Sequence, residues 1–279
     1  MLVIQGESLE FPVRANHLEL RVRVGKTVHR RRSKHQTIEV VDTLPFGRLL
    51  LLDGHIQLTE LDEACYHEAL VQIPLLSLDR PERALVVGGG DGGVLREICR
   101  CRTIRHVDLV EIDAEVIEVC REHLPSLSAG AFDDPRVRVH VADAFPFVKS
   151  GLEPYDLIVV DCTDVYEDEE GSLSEPLFTD EFYTDLLRLL TDRGIVVTQA
   201  DNPVFCPYAL HSTETIFQRV FPKSGHYHAA VPSFGGFSAF CWGSKGAEPS
   251  RTWPPSAAGA GLKALTPEAW AYAFSALPF

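Results

Sequence analysis

Residues 86–97, VVGGGDGGVLRE, place five glycines around one carboxylate, Asp91, directly after an apolar run. The preceding ALVVG (84–88) predicts a fully buried strand, and the residues that follow predict a helix from about 92 to 101. A glycine turn between a strand and a helix usually holds a phosphate, because the first amides and the dipole of the helix attract anions. A carboxylate in this turn would repel a pyrophosphate and attract an ammonium instead. The stretch therefore predicts an α/β fold with a cationic ligand near Asp91.

The chain beyond this turn alternates between apolar strands and helical patterns. Further strands are predicted at 106–113, 137–144, 155–161 and 194–200, and helices at 114–123, 179–191 and 207–221. Short apolar strands that alternate with helices indicate a parallel sheet covered on both faces. Two later segments, 226–232 and 237–243, predict an antiparallel pair that closes this sheet.

The chain before residue 60 has a different pattern. Polar and apolar residues alternate at 18–25 and 36–42, and the turn Asp53-Gly54 separates two further short strands. We therefore predict a small antiparallel β domain over 1–60, an α/β domain over 61–245 that starts with a helix at 62–76, and a loose C-terminal linker with a short helix over 246–279.

Composition narrows the class of protein. The 279 residues carry a net charge of −14, which argues against a nucleic-acid or anionic-membrane partner and is compatible with a cationic ligand. No 18-residue apolar run and no signal peptide are visible, so a cytoplasmic protein without a membrane span is expected. The seven cysteines include no CxxC pair and the histidines show no metal-binding spacing. Free thiols in a reducing compartment, and no metal, are therefore expected.

Acidic and amide side chains follow the predicted strands at their carboxyl ends, where open parallel sheets bind ligands. Each acid alone could cap the next helix, but acids at four consecutive strand ends indicate a shared site. The strand ends carry Asp91, Glu111 with Asp113, Asp143 with Ala144, Asp161 with Asp164, and Gln199 with Asp201. The last pair of acids begins a run, 161–175, with seven acids and no base, which is either a solvated loop or part of a site for a polyvalent cation.

The turn also contains the spacing Gly88-x-Gly90-x-x-Gly93, a weak signal for a nucleotide. Glu111 lies 18 residues after Gly93, about where an acid binds ribose hydroxyls. This arrangement suits NAD, FAD or an adenosyl sulfonium. The sulfonium is favoured by Asp91 and by Asp143, which could accept a hydrogen bond from an adenine amino group.

Several longer stretches, in this order, resemble the polyamine aminopropyltransferases, of which spermidine synthase is the best-known member. The resemblance runs from about residue 30 to 245 and resumes at 265–279. The stretches are GRLLLLDGHIQLTELDEACYHEAL (47–70), GGGDGGVLRE (88–97), VDLVEID (107–113), VADAF (141–145), and DCTD (161–164) ahead of LFTDEFY (177–183).

The resemblance implies a Rossmann-like, methyltransferase-type domain that moves a 3-aminopropyl group from decarboxylated S-adenosylmethionine to an amine. This donor is a co-substrate, and no prosthetic group is expected. A homodimer or homotetramer, formed through the β domain, is also implied. The implied donor residues are Gly88 and Gly90 of the turn, Asp91 at the ammonium, Glu111 at the ribose, Asp143 and Ala144 at the adenine, and Gln36, Gln57 and His67. The implied catalytic residues are Asp161 and Tyr66, and the implied acceptor residues are Asp164, Gln199 and Phe234.

Chemistry supports these roles. An alkyl amine has a pKa of about 10, so it arrives protonated and needs a base such as Asp161 before it can attack. Asp91 would also repel the carboxylate of ordinary S-adenosylmethionine, which gives a reason for donor choice. Each of three residues also has a purely structural alternative: Gln57 as a surface residue, and Tyr66 and His67 as helix residues at the edge of the core.

Two departures from the family pattern concern the acceptor. Val165 replaces a proline after Asp164, and the segment VPSFGGF (231–237) has Phe234 where a tyrosine is usual. The acceptor could therefore be putrescine or a longer or variant amine. Two other functions remain open: an amine N-methyltransferase that uses S-adenosylmethionine, and a non-catalytic polyamine-binding homologue.

Overall fold

The N-terminal part of the chain forms an antiparallel sheet whose strands pair in sequence order. The protein is described by a computed structural model that covers residues 8–12, 19–163 and 174–277. The sheet has the order β1-β2-β3-β4-β5. Its strands are β1 Ser8–Pro12, β2 Glu19–Arg32, β3 Thr37–Thr43, β4 Gly47–Leu52 and β5 His55–Thr59.

A second sheet of seven strands has the order β11-β12-β10-β9-β6-β7-β8. Strand β12 is antiparallel to both β10 and β11, and the other neighbours are parallel. The predicted fold class is confirmed: a mostly parallel sheet with a closing antiparallel pair and a separate antiparallel N-terminal sheet. The strands are β6 Arg83–Gly88, β7 His106–Glu111, β8 Val137–Val141, β9 Tyr155–Asp161, β10 Leu190–Gln199, β11 Lys223–Val231 and β12 Gly236–Ser244.

Helices cover both faces of the second sheet, which explains why its central strands are apolar throughout. Val86 and Val159 pack on the side of α1 and α2, whereas Leu85 and Ile158 pack on the side of α6 and α7. The helices are α1 Glu63–Leu75, α2 Gly93–Cys99, α3 Ala114–His123, α4 Pro125–Ser128, α5 Ala144–Phe147, α6 Asp180–Leu189, α7 Pro207–Val220 and α8 Pro267–Ala273. Short 3₁₀ helices span Ala131–Asp133, Glu175–Leu177, Pro232–Phe234 and Pro255–Gly259.

The N-terminal sheet packs against helix α3 in a smaller apolar cluster. Ile38 of β3 and Leu50 of β4 pack with Val116 and Val119 of α3 in this cluster. The contact brings the N-terminal sheet over the carboxyl ends of the parallel strands, where the predicted site residues lie. Within the described residues, no helix combines the length and the apolar character that a bilayer span requires.

The structure differs from the sequence-based expectation in several places, among them the N-terminal sheet, the start of β10 at Leu190, the unpredicted helices α4 and α5, and the C-terminal segment. Strand β1 was not predicted, and β2 extends to Arg32 instead of ending near residue 25. The segment predicted to be a loose linker, 246–261, is tied down, because the indole of Trp270 donates to Ser250 O (2.9 Å) and Arg100 donates to Gly261 O (2.6 Å). The domain boundaries at 60/61 and 245/246 stay a prediction.

Candidate active site

A cavity of about 590 Å³ lies at the carboxyl ends of the parallel strands, below the N-terminal sheet. Asp164 lies outside the described residues. The other residues that the resemblance assigned to the site all line this cavity: Gln36, Gln57, Tyr66, His67, Gly88, Gly90, Asp91, Glu111, Asp143, Ala144, Asp161, Gln199 and Phe234. Asp91, Glu111, Asp143 and Asp161 are thus brought into one space, whereas Asp113 is not among the described lining residues and caps α3 instead.

The glycines of the turn allow the strands to approach each other closely. Gly88 has a φ of +78°, and a Cβ there would lie 2.2 Å from the backbone oxygen of Asp161. That same oxygen accepts a 2.9 Å hydrogen bond from the amide of Gly89. A Cβ on Gly90 would lie 3.0 Å from Oε2 of Glu111. Side chains at 88 and 90 would therefore push Asp161 and Glu111 out of position.

Glu111 is 9% exposed at the end of β7. Burial raises its pKa to about 7, although the amide of Asp113 donates to Oε1 (2.9 Å) and lowers it. A buried carboxyl group in this position can exchange hydrogen bonds with the hydroxyls of a sugar.

Other residues that were predicted to bind the donor also make structural contacts. The carboxylate of Asp143 caps α5 by accepting the amide of Phe145 (2.9 Å), so the plain capping role exists alongside its place in the cavity wall. Gln36 Nε2 donates to Asp113 Oδ2 (3.1 Å), and Gln57 Nε2 donates to the backbone oxygen of His55 (3.2 Å). These bonds fix the amides at the rim formed by the N-terminal sheet.

Asp161 and Tyr66 form a hydrogen-bonded pair in the wall of the cavity. Tyr66 Oη donates a 2.7 Å hydrogen bond to Asp161 Oδ1. Burial and the negative charge of Asp91 raise the pKa of Asp161 to about 6, while His67 and Tyr66 lower it. The ring of Phe234 meets Tyr66 edge to face at 5.6 Å. Asp161 is therefore mostly ionised at neutral pH but is a stronger base than an ordinary aspartate.

His67 lies between two acids, next to the Asp161–Tyr66 pair. His67 Nδ1 is 2.8 Å from Glu63 Oε2, and Nε2 is 3.4 Å from Asp91 Oδ1. Burial would lower the pKa of His67, but Asp91 and Glu63 raise it to about 10. Burial would likewise raise the pKa of Asp91, but His67 and the amide of Gly93 lower it. His67 is thus a cation, and Asp91 is an anion with one oxygen bound within the protein.

Glu63 and Arg96 complete this arrangement and were missed by the sequence analysis. Arg96 binds the Glu63 carboxylate with both terminal nitrogens, at 2.8 and 3.0 Å. Burial would raise the pKa of Glu63, but His67 and Arg96 lower it to about 2. The only local signal is the i, i+4 spacing of Glu63 and His67 on α1, which is common on helices.

His67, Asp91 and Asp161 lie close together and carry charges of opposite sign. One ligand-capable atom each of His67, Asp91 and Asp161 lies within 4.8 Å of the others. The cation of His67 reduces the repulsion between the two carboxylates. The net charge of these three groups is negative, so together they attract a cation.

Comparison with known proteins agrees with this geometry. Residues 63–251 match the family model described as the spermine/spermidine synthase domain, and residues 12–60 match the spermidine synthase tetramerisation domain. The chain belongs to the spermine/spermidine synthase family. The resemblance stated from the sequence motifs is therefore confirmed, and the protein is a member of a family of polyamine aminopropyltransferases.

Relatives of this family match most of the chain. The polyamine aminopropyltransferase of Bacillus mycoides is 39% identical over 234 residues, which are 84% of this chain and 83% of that one. That of Bacillus subtilis is 40% identical over 229 residues, 82% and 81% of the two chains. A crystal structure of spermidine synthase in complex with the transition-state analogue AdoDATO has a TM-score of 0.91 and 27% identity, and the match covers 98% of this chain and 93% of that chain.

Proposed function

We propose that this protein transfers a 3-aminopropyl group from decarboxylated S-adenosylmethionine to a polyamine acceptor and releases methylthioadenosine. The observation that carries this function is the hydrogen bond from Tyr66 to Asp161 in a cavity that Asp91 and Glu111 also line. Support also comes from a structural relative that is described in complex with a transition-state analogue, AdoDATO.

The donor would lie along the carboxyl ends of β6 and β7. We assign its ribose to Glu111, its adenine to Asp143 and Ala144, and its ammonium to Asp91. One oxygen of Asp91, Oδ1, already binds the amide of Gly93 (2.6 Å) and faces His67. The ammonium would therefore bind through the other oxygen. Gln36, Gln57, Gly88 and Gly90, which line the cavity, would form its wall on the donor side.

The reaction needs a neutral amine at the acceptor. Asp161 removes one proton from the acceptor ammonium, and Tyr66 holds the carboxylate in place for this transfer. The nitrogen lone pair then forms a bond to the carbon beside the sulfonium. The carbon–sulfur bond breaks, and its electron pair returns to sulfur to give the neutral thioether. Because the electrophile is already activated, alignment of nitrogen and carbon supplies most of the catalysis.

Asp91 disfavours the methyltransferase alternative. S-adenosylmethionine carries a carboxylate where the decarboxylated donor has hydrogen, and that group would approach the anion of Asp91. The non-catalytic alternative is disfavoured by Asp161, whose pKa of about 6 suits a base at neutral pH. We assign the acceptor to the side of Gln199 and Phe234, with Asp164 as a further acceptor residue.

The oligomer that we propose is a homotetramer assembled through the N-terminal sheet. Support comes from the match of residues 12–60 to a tetramerisation domain. Sedimentation equilibrium tests this proposal, since deletion of residues 1–32 should convert the tetramer to smaller species.

The function is tested by incubating the protein with decarboxylated S-adenosylmethionine and a panel of putrescine, cadaverine, agmatine, spermidine and spermine. Mass spectrometry should show one amine or more gaining an aminopropyl group, together with methylthioadenosine. Transfer of a methyl group from S-adenosylmethionine would instead support the methyltransferase. Binding of amines without any transfer would support the non-catalytic homologue.

A further inference from the structure

A second cavity, of about 290 Å³, lies beside the active site between the end of β10 and the start of α7. We name it the α7 cavity. Its described lining residues come from three elements: Glu175 and Phe178 near the 3₁₀ helix Glu175–Leu177, Gln199, Ala200 and Asp201 at the end of β10, and Tyr208, Ala209, Ser212, Thr213 and Ile216 of α7.

Two residues line both cavities, namely Gln199 and Asp201. Gln199 Nε2 donates to the backbone oxygen of Cys162 (3.2 Å), directly after Asp161. None of the residues that we assign to the donor is among the described residues of the α7 cavity. The α7 cavity therefore adjoins the acceptor side of the active site.

The walls of the α7 cavity suit an aliphatic cation. Asp201, which is 6% exposed and accepts the amide of Asn202 at Oδ1 (2.6 Å), and the exposed Glu175 each supply a carboxylate to the lining. Two half-buried aromatic rings, Phe178 and Tyr208, offer faces that attract an ammonium. Ala209 and Ile216 offer apolar surface for methylene groups. The described lining contains no lysine or arginine, which disfavours an anionic ligand.

We propose that the α7 cavity binds the distal end of an acceptor longer than a diamine, so that a triamine is an acceptor of this protein. The reacting nitrogen of such an amine lies at Asp161, its chain passes Gln199, and its far ammonium lies between Asp201 and the aromatic rings. This inference rests on the proposed function, because it assumes that Asp161 marks the reacting nitrogen.

The test compares putrescine, a diamine, with spermidine, a triamine, in Ala209→Phe. The added ring should occupy part of the α7 cavity, whose described lining includes neither Asp161 nor Tyr66. His211→Phe is the matched control, because His211 is exposed on the same helix and does not line the cavity. We expect Ala209→Phe to lower kcat/KM for spermidine at least tenfold and to change that for putrescine less than twofold. His211→Phe should change neither.

A second variant covers the case in which Ala209→Phe disturbs folding and lowers turnover of both amines. Glu175→Gln removes one carboxylate while keeping the shape of the side chain. It should raise KM for spermidine at least threefold and leave KM for putrescine unchanged. Equal effects on both amines in Glu175→Gln, or a wild type that uses putrescine alone, would overturn the inference.

Failure of the proposed function can be distinguished from failure of this inference by calorimetry. If no amine is aminopropylated, the proposed function is wrong. Calorimetric titration of spermidine into the wild type and Ala209→Phe still tests the cavity, because the added ring should lower the affinity for spermidine at least tenfold. If these two proteins bind spermidine with equal affinity, the α7 cavity is not its binding site.

Discussion

The imidazole of His67 occupies the space that a side chain on Gly93 would need. An ideal Cβ on Gly93 would lie 2.3 Å from Cε1 of His67 and 2.5 Å from each ring nitrogen. The last glycine of GGGDGG thus serves a histidine from another helix, in addition to any role at a nucleotide. Because Gly93 has no side chain, His67 can reach both Glu63 and Asp91.

Gly93→Ala should displace His67 and weaken the donor site. We expect the affinity for the donor to fall about tenfold, which corresponds to ~1.4 kcal/mol, because Asp91 loses its neighbouring cation and its fixed position. Calorimetry with methylthioadenosine and with the decarboxylated donor measures the effect. Gly259→Ala is the control, since a Cβ there meets nothing within 4 Å. Equal donor affinity in the two variants would contradict the role of the contact.

Asp161→Asn should abolish most of the turnover while keeping donor binding. Loss of a general base typically lowers a rate by about 10²- to 10⁴-fold. In the wild type, kcat/KM should fall as the pH drops through about 6, because the pKa of Asp161 lies there and the protonated form cannot take a proton. Initial rates between pH 5 and 9 measure this limb. A wild-type profile that is flat from pH 5 to 7 would show that another group is the base.

Tyr66→Phe should move the acidic limb of that profile upward. The hydroxyl donates to Asp161 Oδ1 at 2.7 Å and so stabilises the ionised form. Its removal raises the pKa of Asp161, and less of the base is ionised at neutral pH. We expect a several-fold lower rate at pH 7 that recovers at pH 8 to 9. A loss of rate that is the same at every pH would indicate a positional role alone.

Glu63→Gln should destabilise the fold in a pH-dependent way. The pKa of Glu63 is lowered from 4.5 to about 2, so its ionisation contributes about 3 kcal/mol of stability above pH 4.5 that is lost as the pH falls towards 2. Urea unfolding at pH 7 and at pH 3 measures the difference between variant and wild type, which should shrink at the lower pH. Glu118→Gln is the control, because the side chain of Glu118 is 69% exposed. A pH-independent difference would contradict this origin.

Glu68→Ala should release the C-terminal segment from α1. The carboxylate of Glu68 is fully buried and accepts the amides of Lys263, Ala264 and Leu265 at 2.6, 2.8 and 2.9 Å. Without it those amides lose their acceptor, and their hydrogen exchange should become at least tenfold faster. Mass spectrometry of peptides that cover 262–266 measures the rate. Glu122→Ala, at an exposed side chain, should leave it unchanged.

The fold and most of the cavity wall follow from local patterns. Apolar strands, helical spacing and a glycine turn repeat within short windows, and parallel strands bring their carboxyl ends to one edge. Asp91, Glu111, Asp143 and Asp161 can therefore be assigned to a shared edge from the amino-acid sequence alone. The structure places all four on the wall of one cavity.

The contacts that could not be predicted join residues far apart in the sequence. Arg96 binds Glu63 over 33 positions, and Glu68 binds amides about 195 positions away. Buried charges with such partners look like ordinary surface residues in a helical pattern. The segment 246–261 is rich in small residues and has the composition of a linker. The contacts that hold it come from Trp270 and Arg100, outside the segment, so its own composition does not reveal them.

The attachment of Glu68 also has a consequence for biosynthesis. Tyr66 and His67 precede Glu68 on the same helix, and the amides that Glu68 accepts belong to residues 263–265. When every cavity-lining residue of a nascent chain has left the ribosome, residues 263–265 can still be inside it. Glu68 then lacks the amides that hold α1 in place. Helix α1 is therefore fastened only after residues 263–265 have emerged, so products truncated before these residues should be inactive.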